Sequence, residues 1–285
     1  MLLDQLRGYH DGWQAAPIPA AWQEILINVL PDLGAVRNGV PEGGAVHPPL
    51  QADEEQPHIF RAFRNLPPEA VHTVVIGQDP YPEVQRATGR AFEDWGVPEL
   101  DFSPSLKRLL QSALTCQNPG LNADQNDTGW QEIREEVTAQ LANRQAMTAY
   151  FDRLAAQGVL FLNAAWTCSA VPVGLPKTEK DRISSAHRVF WRPVMQKLIA
   201  DLAALEQPIA FILLGKTAQN LLSGIEGVFR HSAVVPNNHP GRPAYFGDNP
   251  FCRLNAAQEQ LAGAEIQWWA PQELPPAGPN VGGDP

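Results

Sequence analysis

The sequence predicts an α/β fold in which helices cover both faces of a parallel, twisted sheet. The first observation is the β-branched run at 74–76, which is apolar at every position and therefore typical of a buried strand. The second is that similar apolar runs recur at 159–163 and 211–214. The third is that segments with helical spacing separate these runs, as they do in sheets built from strand-helix-strand units.

Composition restricts the class of protein. The 285 residues, 44% of them hydrophobic, suit one large α/β domain or two small ones with an ample core. No apolar run is long enough to span a bilayer, and no hydrophobic N-terminal segment follows a basic start, so we expect a soluble, cytoplasmic protein. Three dispersed cysteines, Cys116, Cys168 and Cys252, have the spacing of neither a metal site nor a disulfide framework.

The charge balance limits the kind of nucleic-acid binding that is possible. A formal net charge of −10 argues against a protein that coats nucleic acid indiscriminately. A local basic groove can still coexist with an acidic remainder, because exposed charges are screened beyond a Debye length. Such a protein is expected to bind non-specific DNA modestly and with strong salt dependence.

The N-terminal third begins with helices and continues as loop. Residues 1–31 have the pattern of one or two helices, with Trp13 and Trp22 as core anchors. Residues 32–57 are rich in Pro, Gly and acidic residues and are predicted to be loop. Helical spacing returns at 58–64, before the first strand.

Two long helices are predicted from caps and apolar stripes. Ser103 followed by Pro104 is typical of a helix start, because serine caps the first turn and proline fits it. The helix that follows has an apolar stripe at Leu106, Leu109, Leu110 and Leu114. A second amphipathic helix is predicted over residues 184–205.

Residues 1–270 are predicted to form a single domain that contains one unusual segment. Residues 117–147 start with a helix breaker and continue with polar residues, and we predict a polar helix from Trp130 to Met147 within them. A further helix is predicted over 149–157. Residues 271–285 are rich in Pro and Gly and are predicted to be a disordered tail.

The segment Gly77-Gln78-Asp79-Pro80-Tyr81 follows the first buried strand directly and carries the most information. Gly77 permits a tight turn and Pro80 stiffens the chain. Asp79 is therefore held at the carboxyl end of a strand, where α/β sheets place their ligands. The same carboxylate could instead form an Asx turn that caps a helix. This segment by itself leaves both interpretations open.

Five blocks of sequence occur in a fixed order within residues 45–262. They are His47-Pro48-Pro49, 77–81 together with Phe92, 158–167, 211–216 and Asn238-His239-Pro240. In this order they resemble the proline-rich phosphate loop, the water-activating motif, the base-reading strand, the glycine-serine phosphate loop and the catalytic histidine of the uracil-DNA glycosylase superfamily, most closely its family 1. Lys216 stands where that family usually has serine. Relative to the family pattern, residues 117–147 look like an insertion.

The resemblance implies a monomeric DNA glycosylase with a central four-stranded sheet and its site at the carboxyl ends of the strands. Hydrolysis of an N-glycosidic bond builds positive charge on the sugar and negative charge on the leaving base. By resemblance, Asp79 holds the attacking water and offsets the charge on the sugar, and His239 donates a hydrogen bond to O2 of the base. Water is the nucleophile, so no metal or organic cofactor is implied.

The resemblance also assigns residues that bind the DNA. The base must leave the duplex to be reached. Phe92 is then expected to stack on it, Asn163 to read its edge, Tyr81 to pack against C5 and Gln78 to contact it by its backbone amide. The residues expected to contact the DNA backbone or wedge into the duplex are Pro48, Pro49, Ser169, Gly215, Lys216, Thr217, Pro240, Arg242 and Tyr245. His187 could contact the backbone or have a structural role.

Two regions depart from the family pattern. After Tyr81 the chain has proline instead of histidine, and Thr88 and Arg90 replace residues that are usually His and Leu, so the wall around C5 of the base is altered. After Pro240 the family's wedge leucine is missing, and Arg242, Tyr245 or Phe246 would have to fill the gap left by the flipped base.

These departures leave three functions open. The protein could be a divergent uracil repair enzyme, and the intact Tyr81 and Phe92 favour that interpretation. It could excise a cytosine with a bulky C5 substituent from phage DNA, which the altered segment 82–90 and the insertion favour. It could also be an inactive, DNA-binding or scaffold descendant, although Asp79, Asn163 and His239 are all retained. A Rossmann-type cofactor enzyme is disfavoured, because no Gly-x-Gly-x-x-Gly follows the first strand.

Overall fold

The computed structural model describes residues 1–37, 39–51, 55–171 and 174–269, and the tail predicted at 271–285 lies outside them. The α-helices of the described residues are α1 (Leu2–Gly12), α2 (Gln23–Leu26), α3 (Pro104–Gln117), α4 (Trp130–Gln140), α5 (Arg144–Ala155), α6 (Lys177–Ala203), α7 (Lys216–Gln219) and α8 (Pro250–Gln260). Within the described ranges, no helix has the length and apolar character needed to cross a membrane.

A parallel sheet lies at the centre of the fold. The strands are β1 (Val46–His47), β2 (Thr73–Gly77), β3 (Val159–Asn163), β4 (Cys168–Ser169), β5 (Ile209–Leu214) and β6 (Ser232–Asn237). Four of them form a sheet in the order β3-β2-β5-β6, and each neighbouring pair is parallel. The short strands β1 and β4 form a separate antiparallel pair. The predicted four-stranded parallel sheet with flanking helices is confirmed.

Both faces of the sheet are covered, which explains the continuous apolar runs. Alternate side chains of a strand point to opposite faces. Val74 and Ile76 of β2 accordingly pack into the core on one face, with α1 and α6, whereas Val75 packs into the core on the other face, with α3, α5 and α8. Each strand therefore needs apolar residues at every position.

The N-terminal helices are anchored as predicted. Trp13 and Trp22 are completely buried. The indole N–H of Trp13 donates to the Leu26 carbonyl at 3.2 Å, and that of Trp22 donates to the Leu66 carbonyl at 2.8 Å. These bonds satisfy the polar edge of each ring, so both indoles can be buried without an unpaired donor.

Several predicted helix boundaries are wrong. The single helix predicted from Trp130 to Met147 is two helices, because the Asn143 side chain accepts from the Ala146 backbone N–H at 2.9 Å and starts α5 there. α6 begins at Lys177 rather than at residue 184, and its first two turns are too polar to show an apolar stripe. The helical spacing at 58–64 forms a short 3₁₀ turn at Arg61–Phe63.

Residues 117–147, which we predict to be an insertion and call the insertion, are bonded to α3. The predicted Ser103 cap of α3 is confirmed by a 3.2 Å bond from the Leu106 N–H. Gln111 of α3 donates its side-chain amide to the carbonyls of Ala123 and Asn126, at 2.6 and 2.8 Å. The insertion therefore packs on the helix that starts beside the carboxyl ends of the strands.

Candidate functional site

A cleft of about 210 Å³ opens at the carboxyl ends of the central strands. It contains all six residues that the sequence proposed for catalysis and base binding, which are Gln78, Asp79, Tyr81, Phe92, Asn163 and His239. The other residues of its wall are Pro80, Pro82, Ala87, Thr88, Gly89, Arg90 and Ser105. Parallel strands bring their carboxyl ends to one edge, so residues far apart in sequence converge there.

Asp79 is a largely buried carboxylate, 16% exposed, in the turn that follows β2. Its Oδ2 accepts a hydrogen bond from the Gln78 side-chain amide at 3.0 Å. Gln78 is in turn held by Thr217, whose hydroxyl donates to Gln78 Oε1 at 3.4 Å. Asp79 caps none of the helices among the described residues, and its carboxylate lines the cleft, so the helix-capping alternative is not supported.

An arginine that the sequence analysis did not single out lies against this carboxylate. Arg188 of α6 places its Nε 3.5 Å from Oδ1 of Asp79. Burial raises the pKa of the Asp79 carboxyl above its usual range, while the Arg188 charge and the Gln78 hydrogen bond act in the opposite direction. Arg188 thus favours the ionised form of Asp79. In the sequence, the one indication of Arg188 is that it directly follows His187, a residue considered for contact with the DNA backbone.

Asn163 and Phe92 come together over the end of β2. Asn163 pairs in register with Gly77, and its side chain forms no hydrogen bond within the described residues, so its amide is free to bind a ligand. A methyl group on Gly77 would lie 2.8 Å from the Phe92 ring and 3.0 Å from Asn163 Oδ1. Glycine is needed at this position because only a residue without a side chain lets the Phe92 ring and the Asn163 amide both approach its Cα this closely.

His239 faces Phe92 across the cleft, with ring centroids 6.2 Å apart. Its Nδ1 accepts the Gly241 backbone N–H at 2.9 Å, so the proton of the neutral ring lies on Nε2. Burial, reinforced by the Arg242 charge, lowers the pKa of His239 to about 4. Gly215, at φ +94°, lies close behind, since a Cβ there would meet the His239 Cβ at 2.8 Å. His239 is therefore a neutral hydrogen-bond donor at neutral pH.

The insertion braces the loop that carries His239. Arg108 of α3 donates from Nη1 to the carbonyl of Pro240 at 2.7 Å. Asp127, within the insertion, accepts two bonds from the same guanidinium, at 2.7 and 3.0 Å. This bidentate pair orients Arg108 and thereby positions the backbone next to His239.

Tyr81 is fixed at the wall of the cleft by two hydrogen bonds. Its hydroxyl donates to the Phe92 carbonyl at 3.2 Å and accepts the Ser103 hydroxyl at 2.9 Å. Burial raises the pKa of this phenol, so it stays protonated. The ring cannot swing out of the cleft without losing both bonds.

The altered residues Thr88 and Arg90 line the cleft and belong to a buried polar network in its wall. Thr88 donates to Glu93 at 2.8 Å, and Arg61 forms a buried ion pair with the same carboxylate at 3.0 Å. Arg90 is paired with Asp152 of α5 at 2.7 Å. Thr88 is thus bonded within the protein, whereas Nε and Nη1 of Arg90 are buried without a hydrogen-bond partner among the described residues.

The residues proposed to contact phosphates differ in accessibility. Pro49 and Lys216 are exposed, and Thr217 is half-buried, whereas Pro48 is buried. The Ser169 hydroxyl is wrongly placed for this role, because β4 turns it inward to His187 at 2.9 Å. His187 is bonded on its other nitrogen by the Thr167 hydroxyl, also at 2.9 Å, so its role is structural.

Of the three side chains named for wedging, the loop after His239 exposes Arg242 and, in part, Phe246. Arg242 is exposed at this loop, next to the buried Pro240. The prediction for Tyr245 is wrong, because its side chain is 1% exposed and packs into the core below the sheet. A short 3₁₀ turn, Pro243–Tyr245, rotates the ring inward. Phe246 remains half-buried at the surface, where the Arg108 guanidinium lies 5.8 Å above its ring.

Comparisons with known proteins identify the family of the chain and structures of similar fold. The sequence model of the Uracil DNA glycosylase superfamily matches residues 63–259 of this chain. A uracil-DNA glycosylase of Streptococcus agalactiae serotype III (strain NEM316) is 28% identical, over 87% of this chain and 98% of that protein. One of Lactobacillus delbrueckii subsp. bulgaricus (strain ATCC BAA-365 / Lb-18) is 30% identical, over 77% and 79%. The crystal structure of wild-type UNG from Nitratifractor salsuginis is similar in fold, with a TM-score of 0.50 and 21% identity over 86% of this chain and 90% of that one.

Proposed function

The chain belongs to the uracil-DNA glycosylase superfamily, and on that premise we propose that it releases uracil from DNA by hydrolysing the N-glycosidic bond. Water adds to C1′ of the deoxyribose, the bond from C1′ to the base nitrogen N1 breaks, and the base leaves with the bonding electrons. The products are an abasic site and the free base. The target nucleotide has to be flipped out of the duplex to enter the cleft.

The groups at the sugar end of the cleft fit the charge that develops there. The Asp79 carboxylate, whose ionised form the Arg188 charge favours, orients the attacking water and offsets the positive charge on the sugar. Its geometry is set in advance by Gln78, which is itself bonded to Thr217. No reorganisation is then needed as the bond breaks, which is the condition for effective electrostatic stabilisation.

The groups at the base end fit a pyrimidine leaving as an anion. The neutral His239 ring donates from Nε2 toward O2 of the base and stabilises the negative charge there. The unpaired amide of Asn163 reads the edge with N3 and the 4-substituent, and Phe92 stacks on the ring. An amide can accept from N3–H of uracil and donate to its O4, so Asn163 suits uracil but does not exclude cytosine.

The observation that carries the assignment to uracil is the fixed ring of Tyr81. Two hydrogen bonds hold this ring at the wall of the cleft, next to Phe92 and where C5 of the base would lie. A C5 methyl group would meet the ring, so thymine is rejected by contact. Thr88 and Arg90 also line this cleft, where contacts with Glu93 and Asp152 hold them in its wall.

A cytosine with a C5 substituent is the second candidate, and the small side chains in part of the cleft wall favour it. Pro82, Ala87 and Gly89 line the same cleft as Tyr81 and have small or compact side chains. An inactive descendant is disfavoured, because Asp79, Asn163 and His239 line one cleft with compatible geometry.

A base-release assay tests the assignment. Uracil-containing duplex and single-stranded DNA are incubated with the protein, in parallel with phage DNA that bears unmodified, hydroxymethylated or glucosylated cytosine. Alkaline cleavage then reports the abasic sites. We expect cleavage of the uracil substrates alone, abolished by Asp79→Asn. Cleavage of the modified phage DNA alone would move the assignment to the second candidate, and no cleavage of any substrate would refute both.

Tyr81→Ala is the specificity variant. If the ring excludes C5 substituents, this variant gains release of thymine from normal DNA while it still releases uracil. Ser103→Ala is the matched milder change, because it removes one of the two bonds to the same hydroxyl without removing the ring. A Tyr81→Ala variant that releases uracil and still rejects thymine would contradict the role of the ring.

A further inference from the structure

A concentration of arginines lies along α6, beside the catalytic cleft but outside it. Two surface clefts, of about 370 and 150 Å³, both include Val189 in their walls and so adjoin each other on this helix. Arg37 and Arg182 line the larger cleft, and Arg188 and Arg192 line the smaller one. We call these four residues the arginine track. None of the described residues that line either cleft is acidic.

The helical period places three of these arginines on one face. Arg182, Ser185, Arg188 and Arg192 follow one another at steps of three or four residues, so they lie on the same side of α6. The ten residues from Arg182 to Arg192 span about 15 Å at a rise of 1.5 Å per residue. Arg37 extends the track from the loop that packs beside the helix.

Most of the charge in the track is not neutralised by the protein. Arg37 and Arg192 are exposed and have no ion pair or side-chain hydrogen bond with any described residue. The Arg182 guanidinium, also exposed, donates to the uncharged carbonyl of Gly39 at 2.6 Å. Its acidic neighbour Asp181 is already paired with Lys177. In a chain of net charge −10, such a cluster marks a binding surface for an anion.

The track leads directly to the catalytic residues. Arg188 belongs both to the track and to the ion pair with Asp79. Thr217, in the wall of the smaller cleft, bonds to Gln78. The exposed Lys216 precedes Thr217 and adds a further positive charge at this end. An extended anion in the track would therefore be continuous with whatever occupies the sugar end of the catalytic cleft.

We propose that the arginine track binds the phosphates of the DNA strand that carries the target base, and this inference rests on the proposed glycosylase function. Guanidinium groups bind phosphate through paired N–H donors, and the track presents several in a row. At about 3.4 Å of axis per phosphate, a length of about 15 Å corresponds to roughly four phosphates. The track supplies the local basic groove that DNA binding by an acidic protein requires.

The test is the salt dependence of DNA binding by Arg182→Gln/Arg192→Gln. The probe is a uracil-free duplex and the matching single strand, each with a fluorescent end label, and binding is followed by anisotropy between 50 and 300 mM salt. The matched control, Lys197→Gln/Arg230→Gln, changes the net charge equally. Lys197 is on α6 but is paired with Asp201, and Arg230 precedes β6 at the far end of the sheet.

Two lost phosphate contacts should reduce the slope of log K against log salt by about 1.4 to 1.8. The same contacts correspond to a loss of affinity of about 25- to 60-fold at 0.1 M salt, which disappears toward 1 M. The control should keep the wild-type slope. Equal slopes for the two double variants would overturn the proposal and point to another anionic partner, such as an acidic protein surface.

The outcome is independent of base release. If the wild-type protein excises uracil but both double variants keep the wild-type slope, the track is refuted and the glycosylase assignment stands. If the track variant loses salt-dependent binding but the wild-type protein releases no base, the surface binds DNA and the assignment of the reaction fails. Arg37→Gln is a further variant, which changes no residue of α6 and keeps the hydrogen bond from Arg182 to Gly39. It should reduce the slope of log K against log salt by about 0.7 to 0.9.

Discussion

The substitution Gly77→Ala tests whether the bound base is gripped where β2 ends. Gly77 is an extended strand residue paired with Asn163, so alanine can adopt its backbone conformation without strain. The added methyl would lie 2.8 Å from Cζ of Phe92 and 3.0 Å from Oδ1 of Asn163. Carbon atoms in contact are normally about 3.5 Å apart or more, so the Phe92 ring must retreat by about 0.7 Å.

The size of the effect follows from the cost of overpacking. Extra methyl groups in a well-packed region cost about 1–3 kcal/mol. If that cost falls on the groups that hold the flipped base, kcat/KM for uracil release drops by about 5- to 150-fold. Most folded domains have about 5–15 kcal/mol of stability, so the variant should still fold.

The measurement is single-turnover excision of uracil from a labelled oligonucleotide, with thermal unfolding followed in parallel. Gly227→Ala is the matched control, because a methyl at that exposed glycine would meet no atom within 4 Å. We expect it to behave as wild type in both assays. A Gly77→Ala protein that folds normally and keeps kcat/KM within about twofold of the control would refute the assigned roles of Phe92 and Asn163.

Three further predictions concern the catalytic groups. Asp79→Asn should lower kcat by about 10²- to 10⁴-fold with little change in the Kd for DNA, and an equal loss of both would contradict a catalytic role. Arg188→Gln removes the charge that lowers the pKa of Asp79, so the carboxylate protonates at higher pH. The acid limb of the kcat profile should then move to higher pH, and an unshifted limb would exclude Arg188 from tuning this carboxyl. Asp127→Ala removes the exposed partner of the buried Arg108 guanidinium, from a pair that contributes about 1 kcal/mol. It should reduce kcat/KM about fivefold through the His239 loop, and a change confined to thermal stability would limit Asp127 to a structural role.

The sheet and the composition of the cleft were predictable from the sequence for local reasons. A strand covered on both faces must be apolar at every position, so β2, β3 and β5 are visible as short apolar runs. Asp79 follows β2 directly and Asn163 ends β3, so the parallel arrangement alone brings them to one edge. Phe92 and His239, which were predicted from motif spacing, lie at this same carboxyl edge of the sheet.

The helix boundaries were less predictable, because they depend on individual side-chain contacts. The division between α4 and α5 rests on one hydrogen bond from Ala146 to Asn143, inside a stretch that is polar throughout. The inward turn of Tyr245 is likewise a matter of packing, since an aromatic residue in a surface loop has the same sequence signature whether it faces solvent or the core.

By itself, the sequence determined the fold class through its apolar periodicity, and the resemblance of its five motif blocks to a known superfamily indicated the residues of the cleft. Tertiary structure alone decided which distant charges meet. Arg188 contacts Asp79, and Asp127 orients Arg108 beneath the His239 loop, through the rotation of helices about their axes and their packing on the sheet. An arginine on the polar face of a helix has the same local pattern whether it is solvated, paired with a carboxylate or aligned with others in a track.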